Sequence, residues 1–267
     1  MREANLCGNH HPFFAISNRV RVFLRARKVR RVNVVKLNRP LLLALSFALF
    51  VITGSTALAQ ETIFNVPSGD VLDRGKVYGE LDFSFLWDAS TGTYTPRLVA
   101  GIGHRIEVGV NANGISSPGP SQTTPTPTIK WKAYDGGKNG RAFMLGADVF
   151  IPVQNKTYDA GLYVYAEFTK TLKSQTRLTF GAYNFSPSVV STGDKAGGQF
   201  GIEQPVGKRV TLAADWFTGK HAAGYFTPGA AIKLNSKLTA YTAYEIGNSG
   251  IARGNHLLLM EIGWNLN

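Results

Sequence analysis

Twelve short stretches of this chain alternate apolar and polar residues with a period of two. In the first, Val77, Gly79, Leu81, Phe83, Phe85 and Trp87 share one face, and Tyr78, Glu80, Asp82, Ser84 and Asp88 share the other. Successive side chains of a strand point to opposite faces, so this segment predicts a strand with one oily and one charged side. The pattern recurs to the end of the chain. The third stretch sets Ile106, Val108, Val110 and Ala112 against Glu107, Gly109, Asn111 and Asn113. The sixth sets Leu162, Val164, Ala166 and Phe168 against Tyr163, Tyr165, Glu167 and Thr169, and the last sets Leu258, Met260, Ile262, Trp264 and Leu266 against Glu261, Gly263 and Asn265.

The links between these stretches also alternate. Those at Gly103 to Arg105, Asp135 to Gly140, Leu172 to Thr176, Gln204 to Lys208 and Asn235 to Lys237 are short and carry turn residues. Those beginning at Ile115, Ser186 and Gly247 are longer and rich in Gly, Ser and Pro. The run Ile115 to Pro127 reads as a loop, too proline-rich for a strand. Twelve antiparallel strands, an even number, with short turns at one end and longer loops at the other predict an all-β fold, an antiparallel transmembrane β-barrel over 77–267.

A leader sharpens that expectation. Leu41 to Ile52 is an apolar run, basic residues precede it, and Ala57-Leu58-Ala59 gives the small-x-small pattern of a cleavage site. Residues 1–59 therefore read as a basic leader plus signal peptide removed on export. Residues 60–76 read as a short periplasmic segment or one tucked as a plug into the barrel mouth, with a turn at Pro67 to Asp70. The long basic part, Met1 to Arg39, is most simply explained by a true start downstream of Met1. The leader also changes the charge. It holds ten of the 29 Lys+Arg and one of the 17 Asp+Glu, so the net +12 falls to +3 after cleavage and no nucleic-acid partner follows from it. Cys7, the only cysteine, leaves with the leader, so disulfides and Cys-based metal sites are excluded from the exported chain.

A soluble exported β-sandwich or a lipocalin-like binding protein also alternates, with its oily side inward. Two features favour the membrane barrel. Trp87, Trp131, Trp216 and Trp264 all fall in the apolar register, mostly near strand ends, where a lipid-interface girdle belongs. The other face carries charge in mid-strand, which a wet lumen tolerates and a dry core does not. On this register Glu80, Asp82, Glu107, Asp148, Glu167, Glu203, Asp215, Glu245 and Glu261 point inward. So do Arg97, Lys130, Lys132, Arg177 and Lys233, and Tyr163, Tyr165, Tyr183 and Tyr241 could line a path among them.

No catalytic constellation emerges. His104, His221 and His256 have no metal-ligand spacing and read as neutral surface histidines; no G-x-S-x-G elbow or P-loop is present, nor the Ser-His cluster of an outer-membrane phospholipase. The expectation is a non-enzyme with no cofactor and no metal. The whole exported chain resembles small porin-like outer-membrane barrels. Its opening, Val66-Pro67-Ser68-Gly69 and then Gly75-Lys76-Val77-Tyr78 before an acidic strand, is similar to the MetA-pathway phenol-degradation-like outer-membrane family. That resemblance implies an outer-membrane transporter of small, often aromatic compounds in a Gram-negative-type bacterium. Its partners would be outer-membrane lipids, the barrel assembly machinery and a small-molecule permeant. The C-terminal strand departs from the usual assembly signal, because the chain ends on Asn267 rather than an aromatic. Two readings of function stand side by side: passive passage of small hydrophilic or aromatic molecules, or a closed barrel with a structural or surface-interaction role.

Overall fold

A computed structural model describes residues 62–86, 90–137, 140–154 and 159–267. The leader with its cleavage motif, Trp87 and the middle of two connections lie outside the described residues. Among the described residues, no helix is long and apolar enough to cross a membrane.

Twelve strands form the wall: β1 (Val77–Leu86), β2 (Thr91–Gly103), β3 (Ile106–Asn113), β5 (Thr124–Asp135), β6 (Arg141–Phe150), β7 (Gly161–Thr171), β8 (Arg177–Phe185), β9 (Ala196–Val206), β10 (Val210–Phe217), β11 (Tyr225–Lys233), β12 (Leu238–Gly247) and β13 (His256–Asn265). A three-residue strand, β4 (Ile115–Ser117), adds only to the end of β2. Each wall strand pairs antiparallel with its neighbours, and β1 pairs with both β2 and β13. The sheet is thus a closed twelve-strand antiparallel β-barrel. Closure leaves no free edge, which is what a sheet surrounded by hydrocarbon requires.

The two faces of each strand differ as the alternation dictates. On β1, Leu81 is exposed while Tyr78, Glu80 and Asp82 are buried. Leu98, Val110, Ile129, Leu145, Val164, Phe180, Leu212 and Met260 repeat the exposed apolar theme around the wall. Five tight connections lie at the end where β1 starts and β13 stops. The first of them turns through three successive left-handed residues, Gly103, His104 and Arg105, with φ of 95°, 53° and 61°. At that same end Asn267 ties the seam: its Oδ1 accepts from the Val77 N–H at 2.9 Å and its Nδ2 donates to the Gly75 carbonyl at 2.7 Å.

The proline-rich run departs from its sequence reading. Ile115–Ser117 forms β4, and β5 already begins at Thr124, taking Pro125 and Pro127 into register with Ala112 and Val110 of β3. The Pro125 carbonyl accepts from Ile151 N, so the ladder edges of these prolines face β6. There the paired ladder has already stopped, at Thr128 opposite Asp148. The missing N–H groups fall where few partners remain, and strand geometry survives them.

Candidate functional site

The inward face is a network of buried charge. Arg97 of β2 lies directly across the ladder from Glu80 of β1, and its Nε comes 2.5 Å from Asp82 Oδ2 and 3.8 Å from Glu80 Oε1. Lys130 of β5 sits opposite Glu107 of β3, with Nζ 2.7 Å from Oε1. Arg177 of β8 forks onto Glu203 of β9, with Nε to Oε2 and Nη2 to Oε1 both at 2.5 Å. Such two-point pairing fixes direction as well as charge. Around the wall Glu167 accepts from Gln199 Nε2 at 2.6 Å, and Gln199 Oε1 in turn accepts from the Tyr163 hydroxyl at 2.9 Å. Lys132 stands apart, half-buried near the tight-turn end, 3.8 Å from Asp135.

Residues 62–76 lie among these side chains. Asp215 Oδ2 accepts three successive backbone N–H groups, from Phe64, Asn65 and Val66, at 2.9, 2.6 and 2.8 Å. Consecutive N–H groups aimed at one oxygen form an anion-holding nest, here with the anion supplied by the wall. Asn65 Nδ2 donates to Thr227 Oγ1 at 3.0 Å and to Glu245 Oε1 at 2.9 Å, and Leu72 N–H donates to Glu107 Oε2 at 2.8 Å. Arg177 also grips Asp70. Burial alone would raise the Asp70 pKa. The Arg177 charge and hydrogen bond, with Lys132 and Lys130 behind them, outweigh it and hold the carboxyl below the ordinary aspartate range.

The apolar residues of the segment have their own seats. Ile63 and Phe64 pack with Tyr241, Ala243 and Leu259. Val66 joins Tyr163, Tyr165, Tyr183, Phe185 and Phe217 in a second cluster, which Val189 and Val190 complete. Leu72 meets Tyr78 and Val99. Small wall residues make room: a Cβ at Gly201 would come 2.2 Å from Ile63 Cδ1, and one at Gly101 would come 2.2 Å from the Asp73 carbonyl oxygen.

Of the residues that the sequence placed inward, Glu80, Asp82, Glu107, Lys130, Tyr163, Tyr165, Tyr183, Glu167, Glu203, Asp215, Tyr241, Glu245 and Glu261 are buried. Arg97, Lys132, Asp148, Arg177 and Lys233 are half-buried. The structure joins Arg97 to Glu80 and Asp82, Lys130 to Glu107, and Arg177 to Glu203. Of the tryptophans, Trp131 and Trp216 are exposed on the outer face, at opposite ends of the wall, and Trp264 lies half-buried against Gly79. Trp87 lies outside the described residues.

Sequence reasoning missed Asn65, which lies outside any alternating stretch; the alternation sets Thr227 and Gln199 on the polar face without showing what they meet. His221 needs correction. It is fully buried rather than a surface residue, while His104 and His256 are exposed. The connection 218–224 folds back over the aromatic cluster, where His221 meets Tyr183 and Phe185 edge-on. Its Nδ1 accepts from Ala223 N–H at 3.2 Å, which leaves Nε2 to donate to the Tyr183 hydroxyl at 2.6 Å. Tyr183 passes the chain on to the Thr218 carbonyl. Glu80, Asp82 and Glu261 bring one carboxylate oxygen each within 4.8 Å of one another, the one group of oxygens among the described residues that could hold a metal.

No family model matches the chain, so the likeness to the MetA-pathway family rests on its opening residues alone. No curated protein matches it either. Among solved structures, the KdgM porin in complex with disordered oligogalacturonate is similar at a TM-score of 0.53 and 8% identity, over 71% of this chain and 99% of that one. An outer membrane channel from Pseudomonas putida F1 is similar at a TM-score of 0.49 and 13% identity, over 75% of this chain and 100% of that one. At 8% identity the likeness to the KdgM porin is one of fold: the two chains share a barrel architecture.

Proposed function

We propose that this protein is an outer-membrane channel through which small hydrophilic or aromatic molecules pass passively. The observation that carries this reading is the contrast between the two faces of one closed wall. An apolar band faces outward all round, while acidic and basic side chains, paired in mid-strand, face inward. Hydrocarbon outside and water inside is the environment that makes both faces stable at once. Outer-membrane lipids then surround the wall, and the barrel assembly machinery inserts it. The tight turns face the periplasm and the long connections face outward.

Residues 62–76 narrow the passage, since they pack against the wall from Asp215 round to Glu107. This seating supports a second reading, a barrel held shut with a structural role. Single-channel recording of the full exported chain in a planar bilayer separates the two. On the channel reading, discrete conductance steps appear. Nine inward acids against five inward bases make the pore prefer cations, and Glu107→Gln weakens that preference. Absence of steps above background removes the channel reading and leaves the closed barrel. An anion-selective pore keeps the channel but overturns the charge assignment.

A further inference from the structure

We infer that Glu80, Asp82 and Glu261 form a calcium site that clamps the closing seam of the barrel. The seam joins the first and last wall strands, and there Asp82 lies directly opposite Glu261. Two like charges facing each other across a ladder oppose pairing. Glu80, two residues along β1, adds a third carboxylate on the same face. All three are buried, with 2%, 5% and 4% of their surface exposed.

The compensation supplied by the protein is incomplete. Glu80 Oε2 accepts from the Tyr78 hydroxyl at 2.5 Å, and Arg97 pairs with Asp82 through Oδ2. Glu261 receives neither. Across the ladders it faces Asp82 on one side and Tyr241 on the other, and neither brings positive charge. Glu261 Oε2 and Asp82 Oδ1, both shielded from solvent, meet no hydrogen-bond donor. A buried carboxylate oxygen without a donor or a cation is costly. A divalent cation among the three carboxylates would supply the contacts that Glu261 Oε2 and Asp82 Oδ1 lack.

Coordination preference selects the ion. The three oxygens lie within 4.8 Å of one another. Calcium–oxygen bonds of about 2.3–2.6 Å let two ligands on opposite sides of the ion stand about 4.6–5.2 Å apart, and calcium tolerates irregular oxygen shells. Magnesium demands a near-ideal octahedron at about 2.0–2.1 Å and usually keeps several waters, so it suits three carboxylates shielded from solvent less well. A calcium ion here would bridge β1 to β13 from the inner face, where no other side-chain ion pair between these two strands occurs among the described residues.

The test uses the full exported chain, folded in detergent and stripped with a chelator, and needs no conductance measurement. Calcium titrated by calorimetry is expected to bind at a single saturable site and to raise the unfolding temperature. Terbium, which shares the oxygen preference, is expected to show emission sensitised by Tyr78 that calcium displaces. Glu261→Gln relieves the facing charges, so it is expected to fold, and to weaken calcium binding at least about tenfold. Glu167→Gln, on the distant strand β7, is expected to leave binding unchanged. Two results overturn the proposal: no saturable calcium binding to the folded native barrel, or binding that Glu261→Gln leaves intact. Should Glu261→Gln fail to fold, the decision falls to the native barrel: calcium either raises its unfolding temperature and quenches the terbium signal, or the site does not exist.

Discussion

Ile63 lies directly over Gly201 of β9: a Cβ at that glycine would come within 2.2 Å of the isoleucine Cδ1, and the next atom, Thr179 Cβ, is 3.5 Å away. The clash falls on the movable tip of one side chain rather than on backbone. Gly201→Val is therefore expected to lift the 62–76 segment off the wall while the barrel stays closed, at an overpacking cost of about 1–3 kcal/mol. In planar bilayers the variant should show larger or more frequent conductance steps than the native chain. Ile63→Ala in the same chain should restore the seat, because it removes the atom that collides. Unchanged conductance in Gly201→Val would separate the segment from the passage.

Asp215 holds the same segment by charge. Its Oδ2 is the common acceptor of three N–H groups, and hydrogen bonds to a charged group are individually worth about 1.5–3 kcal/mol. Asp215→Asn keeps the shape but weakens all three bonds. The expected result is faster proteolysis within 62–76 on the folded protein, with heat-modifiable gel migration retained. Loss of the folded band together with the segment would show instead that the segment is part of the folding core.

The alternation of Leu81 with Glu80 and Asp82 made the wall and its two faces legible, because period two is written into consecutive residues and needs no distant partner. Strand number followed for the same reason. The proline-rich run was misread at Pro125 and Pro127, since whether a missing N–H matters depends on where the neighbouring strand β6 ends, and that is not a local property. The seating of Asn65 against Glu245, 180 residues away, has no local signature at all. His221 failed similarly: a polar connection reads as exposed unless one knows that an aromatic cluster waits beneath it. What the sequence could show was direction, inward or outward, and what it could not show was which inward groups meet.

The outward register has a sharp test at Leu145. It is exposed near the middle of β6, with Met144 buried beside it. Leu145→Arg is expected to destabilise the barrel in lipid by roughly 2–4 kcal/mol, as a cation near the midplane does. The measurement is reversible denaturant unfolding in vesicles. The same Leu145→Arg variant in detergent micelles should cost less, because the charge then reaches water. Equal tolerance of arginine in lipid and in detergent would reject a lipid-facing Leu145.

His221 gives the end bearing the long connections a pH dependence of known sign. Burial lowers its pKa below the ordinary value near 6.5, opposed only in part by the Thr218 backbone and the Asp194 charge. Protonation also places a hydrogen on Nδ1, the atom that accepts from Ala223, and so breaks one link of the chain through Tyr183 to Thr218. Above about pH 6.5 the ring is neutral in both folded and unfolded chains, and the contribution to stability is full. As pH falls below that value the unfolded chain takes up the proton first. Stability is then lost progressively, down to the lowered pKa of the folded state. The protection of the amides in 218–224 against hydrogen exchange, taken relative to their intrinsic rates, should therefore fall between pH 7 and 5. His221→Phe keeps the ring contacts with Phe185 but cannot titrate, so it should flatten that dependence. An equally steep profile in His221→Phe would place the titrating group elsewhere.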